Sequence, residues 1–450
     1  MGGKKAHIAS LMPRLLLLGM LSIGGVVSTG CAAGDILDEI PKDYALSDKV
    51  SESVPGEGQG AGSKEDGVGS KEDGAGIEEE LQGEPLEVTI LPLDEAPSVD
   101  FLMEEAFPYA YDSLSEAEQI WYHDIEEILG SFRETGTLRS EGLRAGLNEE
   151  NIDKIFQCVL NDHPELFYVE GYSYTKYTRG NVLVSVEFSG TYSVDLETAE
   201  KRQEEIQSAA DAILAGIGSD ASDYDKVKYV YETLIRNTDY DLNAADNQNI
   251  YSVFVHHLSV CQGYAKATQY LLNRLGIECT LVLGTVETGE GHAWNLVKVD
   301  GDYYYVDTTW GDVSYQTEES ASQEGAQTVM PEINYDYLNV TSEELLRTHI
   351  IGGQVPMPVC TATAANYYVR EGSLFVSYDR EQMAALFQRA IENGQKDLTI
   401  KCADAACYGE IMTALIDNQE IFNYVENRES GVAYAQNDKQ LSLTFWVTNE

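Results

Sequence analysis

Three short stretches decide the fold of this chain: Val260-Cys-Gln-Gly-Tyr264, Gly291-His-Ala-Trp-Asn295 and Tyr305-Val-Asp-Thr-Thr-Trp310. Each stretch holds one residue of a type used in nucleophilic catalysis, namely Cys261, His292 or Asp307. A nucleophilic cysteine needs a base that takes its proton, and the base needs a third group that orients it. These residue types therefore predict a thiol-based site, provided that the fold brings the three side chains together.

Cys261 is predicted to begin a buried helix. Apolar residues recur at helical spacing as far as Leu275, and Gly276 follows at a position typical of a helix end. The unpaired N–H groups and the positive end of the helix dipole favour a thiolate at the first turn. A cysteine placed there beside an imidazole can have its pKa lowered by roughly one to five units from about 8.5. The same N–H groups are suited to binding the oxyanion of a tetrahedral intermediate.

The second and third stretches are predicted to pair as a β-hairpin. Asp300-Gly301 is a strong signal for a two-residue turn. With a return strand that continues through Trp310, this turn places Trp294 opposite Asp307. Because side chains alternate along a strand, His292 and Asp307 then lie on one face as diagonal neighbours, within reach of a hydrogen bond. The register also places His292 opposite Thr309.

Taken together, the three stretches resemble the transglutaminase-like superfamily over about residues 220–312. The resemblance implies a papain-type thiol fold in which Cys261 is the nucleophile, His292 its general base and acid, and Asp307 the orienting residue. The implied fold class is α+β, with a papain/transglutaminase-like core and flanking small α/β domains. Gln262 and Trp294 are candidates for contacts with the oxyanion or the substrate.

The N-terminus is typical of an export signal. A positive region that includes Arg14 precedes an apolar run from Leu15 to Val27, which is too short to span a bilayer easily. Small residues then precede Cys31, and this pattern resembles the lipobox of exported bacterial lipoproteins. The resemblance implies that Cys31 receives a lipid and becomes the mature N-terminus. An ordinary secretory signal with an incidental cysteine is the alternative, and it also predicts export.

The chain is strongly acidic, with a formal net charge of −47. Such a surface is repelled by nucleic acid and by anionic lipid heads, so nucleic acid is not expected as a partner. About a third of this charge lies between residues 31 and 100, where aromatic residues are rare and a Gly-Ser-Lys-Glu-Asp-Gly motif occurs twice. A segment of this composition cannot bury enough apolar surface to fold, so we predict a disordered acidic tether.

Five segments are predicted along the chain: a lipoprotein signal peptide at 1–30, the tether at 31–100, an N-terminal α/β domain at 101–200, the catalytic domain at 201–345 and a C-terminal α/β module at 346–450. In the last of these, residues 366–378 are predicted to form a strand. The cysteines show no spacing typical of a metal site, so neither a metal nor a cofactor is expected.

The sequence therefore predicts a membrane-tethered, extracytoplasmic thiol enzyme that acts on peptide or carboxamide bonds through a thioester. Its expected substrates are proteins or peptides, including cell-wall peptides, and its lipid anchor would hold it on the outer face of the bacterial cytoplasmic membrane or on the cell surface. Hydrolysis is favoured, because the sequence shows nothing like the calcium-regulated architecture of animal transglutaminases. A cross-linking transglutaminase is one alternative. A non-catalytic cell-surface binding module on the same fold is another.

Overall fold

The computed structural model describes residues 100–103, 107–179, 182–312, 331–353, 355–425 and 432–447. The predicted signal peptide, Cys31 and the acidic tether up to residue 99 lie outside these ranges. Within them, no helix combines the length and the apolar character that crossing a membrane requires.

The N-terminal part packs four helices against a small antiparallel sheet. Its helices are α1 (Tyr109–Asp112), α2 (Glu116–Gly130), α3 (Ser140–Arg144) and α4 (Ile152–Asp162), and its strands are β1 (Thr135–Thr137), β2 (Val169–Arg179) and β3 (Val182–Tyr192). The strand order is β1-β3-β2. Helix α2 begins at a capping box, in which Ser115 and Glu118 satisfy each other's backbone N–H groups.

The central part packs a buried helix against a four-stranded sheet. Its elements are α5 (Leu196–Leu214), α6 (Asp223–Asn237), β4 (Asp239–Tyr240), β5 (Leu258–Ser259), α7 (Cys261–Arg274), β6 (Cys279–Val286), β7 (Gly291–Val299), β8 (Asp302–Val306), α8 (Thr308–Gly311), α9 (Ser342–Leu345) and β9 (His349–Ile351). The sheet has the order β8-β7-β6-β9, and α7 packs across β6 and β7. Since β9 pairs with β6, the sheet continues past residue 345.

The predicted hairpin register is confirmed as far as Val306. Asp300 and Gly301 have positive φ angles of 52° and 91°, as a tight turn of this kind requires, and Val299 pairs with Asp302. The predicted continuation of the return strand through Trp310 is wrong. Asp307 instead caps the helical turn α8 by accepting a hydrogen bond from the backbone N–H of Trp310, so Thr309 does not face His292.

The C-terminal part forms a second four-stranded sheet. Its elements are α10 (Tyr367–Arg370), β10 (Leu374–Phe375), α11 (Arg380–Glu392), β11 (Asp397–Cys402), α12 (Ala405–Met412), β12 (Tyr434–Asn437) and β13 (Ser442–Trp446), with the strand order β10-β11-β13-β12. The predicted strand at 366–378 is wrong except for β10. The Asn366 side chain accepts a hydrogen bond from the N–H of Tyr368 and starts a helical turn instead.

Two large apolar cores stabilise the described part of the chain, and the first of them joins the N-terminal and central parts. One runs from Phe101 to Ala365 and joins the N-terminal sheet to α6 and α7, and the other runs from Phe375 to Phe445. Smaller apolar clusters cover the two faces of the central sheet, with Ala293 on one side and Trp294 on the other. The fold is therefore α+β, in agreement with the predicted class.

Candidate active site

Asp307 lies at the centre of a buried hydrogen-bond network. Its Oδ2 accepts hydrogen bonds from His292 Nε2 at 2.7 Å and from His349 Nε2 at 3.0 Å. Its Oδ1 accepts one from the backbone N–H of Trp310 at 3.1 Å. Burial by itself would raise the pKa of this carboxyl, but His292, and then His349, hold the pKa well below its usual range. Asp307 is therefore an ionised carboxylate with a fixed orientation.

His292 is the second residue of β7 and is almost fully buried. Asp307 occupies its Nε2, so in the neutral ring the proton stays on that nitrogen and Nδ1 keeps a lone pair that can accept a proton. The ring lies against the indole of Trp294, with centroids 5.8 Å apart and planes inclined by 25°. The structure thus brings His292 and Asp307 together in the way that the hairpin register predicts.

Cys261 is the first residue of α7, and no side chain caps the helix at that end. Its side chain is buried in an apolar cluster that includes Ala293, the neighbour of His292 in β7. One turn further along the helix, the carbonyl of Ala265 accepts a hydrogen bond from the Asn295 amide at 2.9 Å, which fixes α7 against β7. Cys261 therefore lies in the same apolar cluster as Ala293, the residue that follows His292 in β7.

Gly263 explains why a glycine follows the Cys-Gln pair. A Cβ at this position would lie 2.9 Å from the carbonyl oxygen of Asn247 and would overlap the Ser259 hydroxyl. That hydroxyl is itself hydrogen-bonded to the Asn247 carbonyl at 2.7 Å. The absence of a side chain therefore lets the preceding loop pack directly beneath the first turn of α7 and hold Cys261 in place.

The two candidates for oxyanion or substrate contacts differ in position. Gln262 is half-buried on α7, directly after Cys261. Trp294 is fully buried on the central sheet, where its ring packs against His292 and, with centroids 5.0 Å apart, against His349. Trp294 therefore packs against both imidazole rings and restricts their movement.

Two residues near the site were not found from the sequence. His349, on β9, is 42 residues beyond the Asp307 that it contacts, and no local motif marks it. Lys266 is buried on α7, where desolvation lowers its pKa to about 8. No carboxylate in the described part of the chain pairs with its ammonium group. A lysine within the apolar helix pattern is the only sequence signal that could have drawn attention to it.

The histidine–aspartate cluster also has the composition of a metal site, although the sequence predicts none. One ligand atom from each of His292, Asp307 and His349 lies within 4.8 Å of the others. An ionised carboxylate can only accept hydrogen bonds, so each of the two Nε2 atoms carries a proton that it donates to Asp307. Those protons occupy the Nε2 positions that face Asp307, and the arrangement fits a hydrogen-bond network better.

Comparison with known proteins gives a family match for the central region. Residues 210–308, which include Cys261, His292 and Asp307, match the model of the transglutaminase-like superfamily. Kyphoscoliosis peptidase from Homo sapiens is 26% identical over 141 residues, which cover 26% of this chain and 21% of that protein. The Mus musculus protein of the same name is 25% identical over 130 residues, which cover 25% and 20%. The match therefore spans about a fifth of the length of these curated relatives.

Solved structures give weaker matches. The crystal structure of a TGase aligns at 16% identity and a TM-score of 0.22, covering 31% of this chain and 50% of that one. A putative cysteine protease from Cytophaga hutchinsonii aligns at 13% identity and a TM-score of 0.21, covering 30% and 61%. Scores at this level do not establish a common overall fold, and the family match rests on the sequence. The family match is therefore to the transglutaminase-like superfamily, over residues 210–308 of this chain.

Proposed function

We propose that this protein is a thiol enzyme that cleaves peptide or carboxamide bonds through a covalent thioester on Cys261. The observation that carries the proposal is the 2.7 Å hydrogen bond between His292 and the ionised Asp307; Cys261, at the first turn of α7, shares an apolar cluster with Ala293, the neighbour of His292. A nucleophile, a base and an orienting carboxylate are the requirements of this chemistry, and Cys261, His292 and Asp307 are of these three types.

Acylation begins when Nδ1 of His292 takes the proton from the Cys261 thiol. The sulfur attacks the carbonyl carbon, and the carbonyl electrons move to oxygen, where the N–H groups at the start of α7 stabilise the negative charge. When the carbonyl re-forms, the C–N bond breaks and His292 gives its proton to the leaving amine. The enzyme now holds the acyl group as a thioester, and the amine departs.

Deacylation uses the same residues in a second cycle. His292 takes a proton from water as the water oxygen attacks the thioester carbonyl. Collapse of the intermediate breaks the C–S bond, the sulfur recovers its proton from His292, and a carboxylic acid leaves. Asp307 stays ionised throughout and stabilises the imidazolium that forms in both cycles.

Hydrolysis and cross-linking share the thioester and differ only in whether water or an amine attacks it. The human and mouse relatives are named peptidases, which supports hydrolysis for this chain. Incubation with a peptide library, with and without a primary amine, should release peptides with new carboxyl ends. If amine adducts are the only products, the protein is a cross-linking transglutaminase instead.

Labelling with iodoacetamide tests whether the site is catalytic at all. Cys261 should react much faster than Cys279, a fully buried thiol on β6 that serves as the control within the same molecule. His292→Ala should remove most of this difference, because the base that forms the thiolate is lost. Slow and equal labelling of the two cysteines in the unmodified protein would favour a non-catalytic binding module.

We extend the proposal to location. Processing at Cys31 would leave the enzyme anchored by lipid on the outer face of the membrane, with the acidic segment as a tether that gives it reach toward protein or cell-wall peptides. Cys31→Ser should release the protein from the membrane fraction and abolish labelling by a fatty-acid analogue. An unchanged membrane fraction would contradict lipidation at this residue.

A further inference from the structure

His349 occupies a place that the three-residue mechanism leaves unexplained. Its Nε2 donates to the same Asp307 oxygen that His292 uses, at 3.0 Å. The ring is fully buried and lies between aromatic rings, with centroid distances of 4.7 Å to Trp310 and 5.5 Å to Tyr337. Water therefore cannot take its place on the carboxylate without disrupting this packing.

The other side of the imidazole continues a chain of hydrogen bonds. With its proton on Nε2, a neutral His349 accepts at Nδ1, and the Thr348 hydroxyl lies 2.8 Å from that atom. The Thr348 oxygen is 3.3 Å from the Tyr337 hydroxyl, which in turn accepts a hydrogen bond from Gln440 Nε2 at 3.4 Å. Each donor in this order points toward Asp307. The Thr348 hydroxyl has an alternative acceptor in the Leu345 carbonyl, but at the longer distance of 3.4 Å.

Gln440 belongs to the C-terminal sheet, in the turn between β12 and β13. It is fully buried, and its Nε2 also donates to the backbone carbonyl of Glu344 at 3.2 Å. The preceding residue, Lys439, forms an ion pair with Glu287, in the loop that leads into β7 and His292. The turn between β12 and β13 therefore contacts the site from two directions.

A second buried group attaches the same sheet to the segment that carries Tyr337. The Asp336 carboxylate accepts hydrogen bonds from Ser442 Oγ at 2.6 Å and Asn437 Nδ2 at 3.0 Å, and it pairs with Lys401 Nζ at 3.3 Å. The backbone carbonyl of Tyr337 then accepts a hydrogen bond from the N–H of Asp307 at 3.0 Å. The C-terminal sheet thus fixes both the side chain and the backbone that lie behind Asp307.

We infer that His349 is a positioning residue for Asp307, and that the C-terminal sheet holds His349 in place through Gln440, Tyr337 and Thr348. The inference rests on the proposed function, because positioning matters for the chemistry of Cys261. With Trp310 on one oxygen and His349 on the other, the carboxylate cannot rotate, so the oxygen that orients His292 stays in place. Without the donor from His349, that constraint is lost.

Two variants at residue 349 separate positioning from packing. His349→Gln keeps an N–H donor that can reach Asp307, whereas His349→Phe keeps a flat ring but has no donor. The alkylation rate of Cys261 by iodoacetamide should fall about tenfold in the Phe variant, the smallest loss typical when the outer hydrogen-bond partner of a metal-bound histidine is removed. It should stay within about threefold in the Gln variant. Equal loss in both variants at equal thermal stability, or a larger loss with Gln than with Phe, would overturn the inference.

The link to the C-terminal sheet is tested at Gln440. Gln440→Leu should lower the same rate by about three- to tenfold, because Tyr337 loses its donor. Thr444→Val is the matched control, since Thr444 is also buried in this sheet but pairs with Thr399 instead of the site. An unchanged rate for Gln440→Leu would show that the C-terminal sheet does not act on the site.

Nitrogen-15 NMR of labelled histidines keeps this test separate from the proposed function. The Nε2–H of His292, bonded to a carboxylate, should give a downfield proton signal that moves in His349→Phe and Gln440→Leu but not in Thr444→Val. A signal unmoved by His349→Phe overturns the inference whatever the reactivity of Cys261. Conversely, if Cys261 labelling in the unmodified protein does not depend on His292, the proposed function fails while the NMR result still decides the positioning.

Discussion

Replacing Asp307 by asparagine changes one oxygen of the carboxylate into an amide NH2 while the side chain keeps its size. In the native site, all three neighbours donate to this side chain: Trp310 N–H to Oδ1, and both imidazoles to Oδ2. Whichever way the asparagine amide is oriented, its NH2 therefore replaces Oδ1 or Oδ2 and faces a group that also donates. The backbone N–H of Trp310 cannot change, but an imidazole can move its proton. We expect the NH2 to face the imidazoles and His292 to move its proton to Nδ1.

The loss of Cys261 reactivity follows from two properties that His292 loses in this variant. Nδ1 of His292 no longer has a lone pair for the Cys261 proton, and the imidazolium has no buried counter-charge. Loss of one partner of a buried ion pair costs about 3–5 kcal/mol. At about 1.36 kcal/mol per tenfold in rate, this corresponds to a loss of roughly 10²–10⁴ in the alkylation rate of Cys261 and in kcat/KM on a cleaved peptide.

The assay compares Asp307→Asn with the unmodified protein and with Asp162→Asn. Asp162 is also a fully buried carboxylate, but it accepts hydrogen bonds from Ala110 and Tyr111 at the end of α4. Both variants are measured at a temperature where circular dichroism shows them folded. Asp162→Asn should stay within about threefold of the unmodified protein. If Asp307→Asn reacts within tenfold of the unmodified protein, the tautomer argument is refuted.

Three further predictions concern stability. Lys266→Met should stabilise the protein at pH 7 by up to about 3 kcal/mol, because the buried lysine is charged there. The gain in stability should fade between pH 8 and 10.5, since the lysine loses its proton at a lower pH in the folded state than in the unfolded state. Urea titrations that show a constant gain across this range would contradict the lowered pKa. His163→Gln should lower the free energy of unfolding by about 3–5 kcal/mol below pH 6.5, because two carboxylates outweigh the effect of burial and raise the pKa of His163 to about 10. This loss of stability should shrink as the pH rises through that value. A loss that does not change with pH would argue against a charged His163. Gly263→Ala should lower the melting temperature and the reactivity of Cys261, with a stability loss of about 1–3 kcal/mol. Gly409→Ala is the control and should be neutral or stabilising, because a Cβ there meets nothing within 4 Å. Equal melting temperatures for the two variants would contradict the steric argument.

The parts of the site predicted from the sequence are those set by short-range rules. Gly276 has a positive φ of 75° after α7, and the Asp300-Gly301 turn fixes the register that aligns His292 with Asp307. Each of these features depends on residues only a few positions apart. The interactions they specify form within a helix or a hairpin, so local patterns were enough to predict them.

The parts that the sequence did not reveal depend on distant segments. The return strand ends at Val306 because the N–H of Asp307 donates to the carbonyl of Tyr337 and its side chain caps α8. His349 reaches Asp307 only because β9 joins the edge of β6. Alternation and turn signals contain no information about these contacts of Asp307, since Tyr337 and His349 both lie outside the hairpin of β7 and β8.

The attachment of the C-terminal sheet to the site has a consequence for when the site is completed during synthesis and folding. Synthesis proceeds from the N-terminus, so Cys261 leaves the ribosome long before Gln440 and β13 exist. Until the last strands have been made and have paired, His349 lacks its final support. A chain interrupted before residue 440 would contain the nucleophile, the base and the carboxylate, yet the carboxylate would be held less firmly. Full reactivity would therefore be reached late, after the whole molecule has folded.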